Sequence, residues 1–526
     1  MQEGGMAISR RDFLGLLASA SISQGLAGPV SAGSARRFVF ANNSPYDSLD
    51  PHTVYDAGRA GPRLNLYDGL YRYVDNPPKL IPWLAESHAI SDDRKSHIFR
   101  LRPGVVFHDG TPVTAQDVVY SIDRILALNQ GPASLYRDVV KPGSTEARDQ
   151  STVVFNLAGP SAIFMATIPD IAVLNSSLMK RHTNENDWAA PWLAKNEAGS
   201  GSFELTSFDP ARGWTAKRSI EHFGGFGTNP IDELEFRNVM ETNTRVLGLM
   251  RGDFQGTDGY MPYDQIQRLR KSQSIQVIEQ EAMRVFLLML NNAAPPLDDV
   301  HFRRALAYSF DYDGFINGVM NGSVSRNPSP LPNTMWGTPH DVKVFNYDLE
   351  KASEELKQVK SPMRSLNIRA LAGFSESEQA AILFQSALKK IGVESKVTMA
   401  PWPVIAKSLD SLDTRPDIVP IWRSAFYLDP NSWVGEGYGS RYEGQKSLAY
   451  YRNPQFDKLL DQALLSSDQG ERQVLYESMT RMVTDDAASI FVYNSRWYGP
   501  YSAKASGVRY SPVNYGQDFR WVSMEA

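Results

Sequence analysis

Eight histidines, no cysteine and 16 methionines limit the chemistry open to this 526-residue chain. Without cysteine there are no disulfides, thiolate metal sites, sulfur nucleophiles or lipid-modified cysteine anchor. The histidines, His52, His88, His97, His108, His182, His222, His301 and His340, include no pair at the i, i+4 spacing that places two imidazoles on one helix face for zinc. His108-Asp109 resembles an acid–base pair, but Asp109-Gly110 is turn chemistry. Ser200 and Ser202 sit in the order Gly-Ser-Gly-Ser, whereas a nucleophile elbow needs Gly-x-Ser-x-Gly. Gly224-Gly225-Phe226-Gly227 is followed by no Lys-Ser/Thr and lacks the glycine of a dinucleotide fingerprint, so it reads as a loop. Arg303-Arg304 is a basic pair that on a helix serves a solvated face, an ion pair or a partner contact. No catalytic constellation, metal site or cofactor motif emerges.

The elements that must position any site alternate between the two periods. Ile98 to Arg102 and Val105 to Phe107 are strand-like runs split by Pro103-Gly104, and Asp109-Gly110 turns the chain. Thr114-Ala115-Gln116-Asp117 fits a capping box, followed by Val118, Val119, Ile122, Ile125 and Leu126 along one helical face. Asp299, Asp311 and Asp348 are N-cap positions for later helices. Leu366 to Leu371 reads as a strand, Glu376 to Ile391 as a helix stopped by Gly392, and Val393 to Met399 as a strand. The apolar runs 285–290 and 490–493 suit strands buried on both faces, able to cross between lobes. Pro295-Pro296, Pro328 to Pro332 and Pro401-Trp402-Pro403 are local breaks too short for linkers. With no internal repeat, the class is α/β or α+β, and the length allows about three domains or subdomains.

The N-terminus is an address. Ser9-Arg10-Arg11-Asp12-Phe13-Leu14 and the short apolar stretch to Ala27 resemble a twin-arginine (Tat) export signal, with Val30-Ser31-Ala32 providing cleavage after residue 32. The stretch is too short to span a bilayer, and no later window reaches spanning length. A soluble periplasmic product is expected. A hydrophobic share of 42% and 21% charged residues describe a globular chain, and a net charge of −5 argues against nucleic acid as a partner.

Several segments together carry a family resemblance: Leu66-Tyr67-Asp68-Gly69-Leu70, Leu84-Ala85-Glu86-Ser87 and the continuous block Phe99 to Val118. Further segments are Gly199 to Leu205, Asn291-Asn292 with Pro295-Pro296-Leu297-Asp298-Asp299, Arg303 to Tyr308, and Phe456 to Leu460. Over nearly the whole exported chain the sequence resembles family 5 (oligopeptide, dipeptide and nickel type) solute-binding proteins of ABC importers. The resemblance implies an α/β, two-lobed periplasmic-binding-protein type II fold with an extra subdomain in the N-terminal lobe. It places a signal in 1–32, lobe I in 36–286 plus 496–526, and lobe II in 287–495. The chain is expected to be a monomer that closes around a solute and delivers it to an inner-membrane permease.

In peptide-binding relatives an Asp ahead of an Asp-Pro pairs with the ligand's α-ammonium, and the aligned residue ahead of Asp429-Pro430 is Phe426. Arg423, in the same loop, offers a bidentate guanidinium, and Trp422, Phe426 and Tyr427 offer flat apolar faces. The expected ligand residues are Trp422, Arg423, Ser424, Phe426 and Tyr427, with Asn43 and Tyr46 from lobe I and Asn291 at the hinge. The sequence reading therefore favours an anionic, sugar-containing or organic-acid solute. A di- or oligopeptide is the alternative within the class; a receptor without transport role and a hydrolase are the alternatives outside it.

Overall fold

The Thr114 hydroxyl and backbone N–H both donate to Asp117 Oδ2, at 2.7 and 2.9 Å, and start the helix Ala115–Leu128. The same local logic recurs. Asp299 accepts from the His301 N–H at 2.9 Å ahead of Val300–Ser309. Asp348 accepts from the Lys351 N–H at 3.0 Å ahead of Leu349–Leu356. The helix Ser375–Lys390 buries Ala380, Ala381, Phe384 and Leu388 and ends before Gly392, whose φ of 75° a side chain would resist. These are features of a computed structural model, which describes residues 35–525 apart from 57–59, 410, 425, 445–446, 448 and 514–515. The twin-arginine segment 1–32 lies outside the described residues. Among the described residues no helix is long and apolar enough to cross a membrane.

Residues from Arg36 onward form one unit around an eleven-stranded sheet. Ten of its strands run in the order Ser395–Ala400, Leu366–Leu371, Ile418–Ser424, Ile275–Leu290, Ser489–Ser502, Gly256–Thr257, Arg37–Asn42, Glu233–Asn238, Gly213–Arg218 and Phe203–Asp209. The short strand Ser325–Arg326 pairs alongside Ser489–Ser502. Two long strands carry the middle. Ile275 to Glu281 pairs antiparallel with Ser502 to Arg496, and after an irregularity the pairing resumes from Val285↔Asn494 to Met289↔Ser489. Ala282, Met283 and Arg284 therefore face a break in the ladder. Beyond it the first long strand takes a new neighbour, with Arg284↔Ser424 through Leu290↔Ile418.

Each half of the sheet has its own core. Phe286, Leu288, Phe302, Phe310, Ile368 and Phe384 pack on one side of the break. Phe38, Phe40, Trp214, Phe236 and Phe519 pack on the other. A separate four-stranded antiparallel sheet, Ala85–Ile90, Ser96–Leu101, Thr152–Leu157 and Val140–Ala147, carries the helix Ala115–Leu128.

Three local expectations change. Val105 to Phe107 is not a strand: Val106 makes a single bridge to Pro112 around a turn in which Gly110 has φ 81° and Asp109 Oδ1 accepts from the Thr111 N–H at 3.0 Å. Arg303 is neither solvated nor ion-paired. It is buried and donates to the carbonyl of Asp486 at 3.0 Å, which the end of the helix Gln469–Asp485 would otherwise leave orphaned, and to the Leu297 carbonyl at 2.9 Å. Trp422, Arg423 and Ser424 belong to the strand Ile418–Ser424 and not to a loop.

Candidate functional site

A cavity of about 710 Å³ lies beside the break in the long-strand ladder. One wall comes from segments 43–45, 53–56 and 129–131 with Tyr260. The opposite wall comes from 371–374, 401–409 and 421–424 with Phe426, and Arg284 stands where the walls meet. Its volume is in the range of a small-molecule site. The lining is strongly aromatic, with Tyr55, Tyr260, Phe374, Trp402, Trp422 and Phe426 all contributing. Rings meet across it: Tyr55 and Phe426 have centroids 4.6 Å apart, and Tyr260 and Phe374 5.4 Å. Further contacts tie the same two sides together outside the cavity. The Ala162 N–H donates to the Leu464 carbonyl at 3.0 Å, and Arg441 pairs with Asp138 at 3.1 Å.

Of the residues singled out from sequence, Asn43, Trp422, Arg423, Ser424 and Phe426 line this cavity. The backbone N–H of Asn43 donates to buried Asp258 at 2.7 Å, which fixes the loop in place. Tyr46, Asn291 and Tyr427 do not reach it. Tyr46 is buried edge-on to the stacked pair Trp214 and Phe236, with centroids 6.4 and 6.1 Å away, so it serves the core. Asn291 is buried where its N–H donates to the Asp417 carbonyl at 2.9 Å. The Tyr427 hydroxyl is enclosed between Glu436 Oε1 at 3.1 Å and the Asn431 amide at 2.7 Å.

Arg423 lines the cavity with its charge already engaged. Its Nε and Nη2 donate to the Ser432 carbonyl at 3.1 and 2.7 Å, and Nη2 lies 3.7 Å from Glu436, whose side chain is fully buried. The expectation that Arg423 presents a cation to a ligand is corrected accordingly. Short of unmaking those bonds, its fork is turned to the protein.

The sequence reading passed over Arg284, Asp56 and Lys407, which supply charge to the wall. Asp56 is the one carboxylate among the described lining residues. The Arg284 guanidinium lies 4.8 Å from the Tyr260 ring and 4.7 Å from the Trp422 ring, within cation–π range of both. Its Nε is buried without a hydrogen-bond partner, and it enters no ion pair among the described residues. Arg284, Tyr260 and Trp422 also border a second cavity of about 80 Å³, which Glu376 lines from the first turn of the helix Ser375–Lys390. Burial pushes the Glu376 carboxyl up to about 7, against the opposing pull of its helix-end backbone and of Arg284. The signal that marked Arg284 was available: a lone cation opening the apolar run Val285 to Leu290. Among the described residues, no group of three or more His, Asp or Glu is placed to hold a metal ion.

The motifs that tempted a catalytic reading have structural work. His108 Nδ1 lies 2.7 Å from Glu197, and its Nε2 lies 2.8 Å from the Gly201 carbonyl. The Ser200 hydroxyl donates to Asp68 at 2.9 Å. Gly201 passes so close to the Asn65 carbonyl oxygen that a Cβ would sit 2.4 Å from it.

Residues 79–445 match the model of the bacterial extracellular solute-binding proteins, family 5, middle region. A probable D,D-dipeptide-binding periplasmic protein of Escherichia coli is 31% identical over 433 residues, covering 82% of each chain. A glutathione-binding protein of Pectobacterium atrosepticum is 27% identical over 528 residues, covering 96% of this chain and 97% of its own. The fold matches the ABC transporter-associated periplasmic binding protein DppA of Helicobacter pylori, solved in complex with the peptide STSA. That match has a TM-score of 0.84 at 24% identity and covers 93% of this chain and 98% of the other. The architecture is thus a mixed α/β periplasmic-binding-protein type II fold.

Proposed function

The chain belongs to the bacterial extracellular solute-binding proteins of family 5, and on that premise we propose that it captures a short peptide or peptide-like solute and hands it to an ABC permease. The observation that carries this reading is the cavity of about 710 Å³ whose two walls come from opposite sides of the ladder break. A solute held there touches both walls only when they are together, so binding favours closure by its differential affinity for the closed form. No bond is made or broken. On this reading the hinge is the stretch Ala282 to Arg284 with Ser495. The lobes run from 36 to about 286 with 496–526, and from about 287 to 495. Export through the twin-arginine segment and a periplasmic location complete the proposal.

The solute class changes from the one the sequence favoured. An anionic sugar or organic acid rested on Arg423 being offered to the ligand, and Arg423 is bonded to Ser432 and set against Glu436. The relatives are named for a D,D-dipeptide and for glutathione, which supports the peptide alternative. Aromatic walls with Asp56 and Arg284 in them suit a zwitterion carrying apolar side chains.

An unfolding-temperature screen of the exported chain tests the reading, using dipeptides of L- and D-alanine, longer alanine peptides, glutathione, sugar phosphates and citrate. A ligand at about 100 times its Kd adds roughly 2.7 kcal/mol of stability, enough for a visible rise. The expected result is a rise with peptides. A rise confined to sugar phosphates or citrate overturns the proposal.

A further inference from the structure

Among the described residues two arginines reach the main cavity, and one of them has its charge set against a carboxylate. Arg423 gives two hydrogen bonds to the Ser432 carbonyl and stands 3.7 Å from Glu436. Arg284 has no ion pair among the described residues, and its Nε is buried without a hydrogen-bond partner. Arg284 is only partly buried, but its Nε is enclosed and no carboxylate pairs with it among the described residues, so a solute anion reaching this wall can supply the counter-charge. The geometry is already set. Tyr260 and Trp422 hold the guanidinium at 4.8 and 4.7 Å from their rings, which restricts the side chain before any ligand arrives. A planar fork held in this way suits a carboxylate, whose two oxygens accept parallel N–H bonds. The anionic group behind it, Glu376, lines the smaller cavity, and burial holds its carboxyl near 7, so at neutral pH it supplies only part of a counter-charge.

From these contacts we infer that Arg284 receives the carboxylate of the bound solute, and that the cavity selects solutes with a free carboxylate. The inference rests on the peptide reading above and names the end of the peptide that this wall recognises. Position at the ladder break gives the contact a second consequence. The residue that grips the carboxylate is carried by the stretch that bends, so filling the cavity and setting the hinge become one event.

The test compares L-alanyl-L-alanine and D-alanyl-D-alanine as free acids with their C-terminal amides. Each is titrated calorimetrically into wild type, Arg284→Met and Arg284→Lys. The wild-type protein is expected to prefer acid over amide by about 10- to 100-fold, the span of a charge-assisted bond. Arg284→Met is expected to bind acid and amide alike, and Arg284→Lys to recover part of the preference. The amide is the internal control, because a variant that merely disturbs packing weakens both forms equally. If Arg284→Met does not fold, the wild-type ratio and Arg284→Lys still decide. Equal binding of acid and amide by wild type, or an acid preference that survives in Arg284→Met, overturns this inference and leaves the peptide reading standing. Failure of every acid and amide to bind wild type overturns both.

Discussion

Tyr55 and Phe426 lie with ring centroids 4.6 Å apart and planes 32° apart, one ring from each wall of the cavity. On the proposed closure this contact is made only while the walls are together, so it contributes to the closed form alone. An aromatic pair is worth about 0.5 to 1.5 kcal/mol beyond its burial. Phe426→Ala is expected to weaken solute binding by about 2- to 12-fold with little change in unfolding temperature, since Phe426 is only half-buried. Calorimetry with a bound dipeptide checks it, and unchanged affinity would remove the contact from closure.

Arg423 is predicted to matter for folding more than for binding. Arg423→Met leaves Glu436 fully buried beside a side chain that cannot pair with it. Breaking a buried pair in this way costs about 3 to 5 kcal/mol. The double variant Arg423→Met with Glu436→Gln is expected to recover much of that loss. Denaturant unfolding measures both, and a single variant as stable as wild type contradicts the assignment.

Glu376 makes stability depend on pH. Its folded-state carboxyl is raised by burial to about 7, above its ordinary value of 4.5, so the folded chain holds the proton more tightly than the unfolded one. The stabilisation is full below about 4.5 and is lost as pH rises through about 7. Wild type should therefore lose unfolding temperature relative to Glu376→Gln between those limits, by an amount equivalent to about 1 to 3 kcal/mol. A difference between the two proteins that stays flat with pH contradicts it.

The strand end that carries the cavity wall is anchored through Asp429, which accepts from Arg472 Nη1 at 2.7 Å and Nη2 at 2.8 Å and also from the Asn431 N–H at 2.9 Å. Both side chains of the ion pair are buried. Asp429→Asn is expected to destabilise the chain by about 3 to 5 kcal/mol, read by denaturant unfolding. A loss below about 1 kcal/mol would mean the pair does little for the fold.

What the sequence made legible follows from how locally each feature is determined. The Thr114–Asp117 capping box, the Asp299 and Asp348 caps and the stop at Gly392 depend on neighbours within a few residues, and all four are in place. The strand Leu366–Leu371 and the runs 285–290 and 490–493 follow from apolar pattern alone. Resemblance over nearly all of the chain beyond residue 32 supplied the fold class. The site was harder to read, because a cavity wall is made by segments far apart in sequence. Trp422 and Phe426 reach the cavity, whereas Tyr427, the next residue, turns inward to Glu436 and Asn431. Nothing in composition separates Arg423, bonded to Ser432, from Arg284, which enters no ion pair among the described residues. That difference is written in the partners each meets after folding.

Capture of a peptide between the two walls is checked by calorimetric titration of wild-type protein with L-alanyl-L-alanine and D-alanyl-D-alanine, alongside citrate and a sugar phosphate. Saturable one-to-one binding of at least one dipeptide is expected, with no binding of the other two. Silence from both dipeptides with saturation by citrate or the sugar phosphate would contradict it.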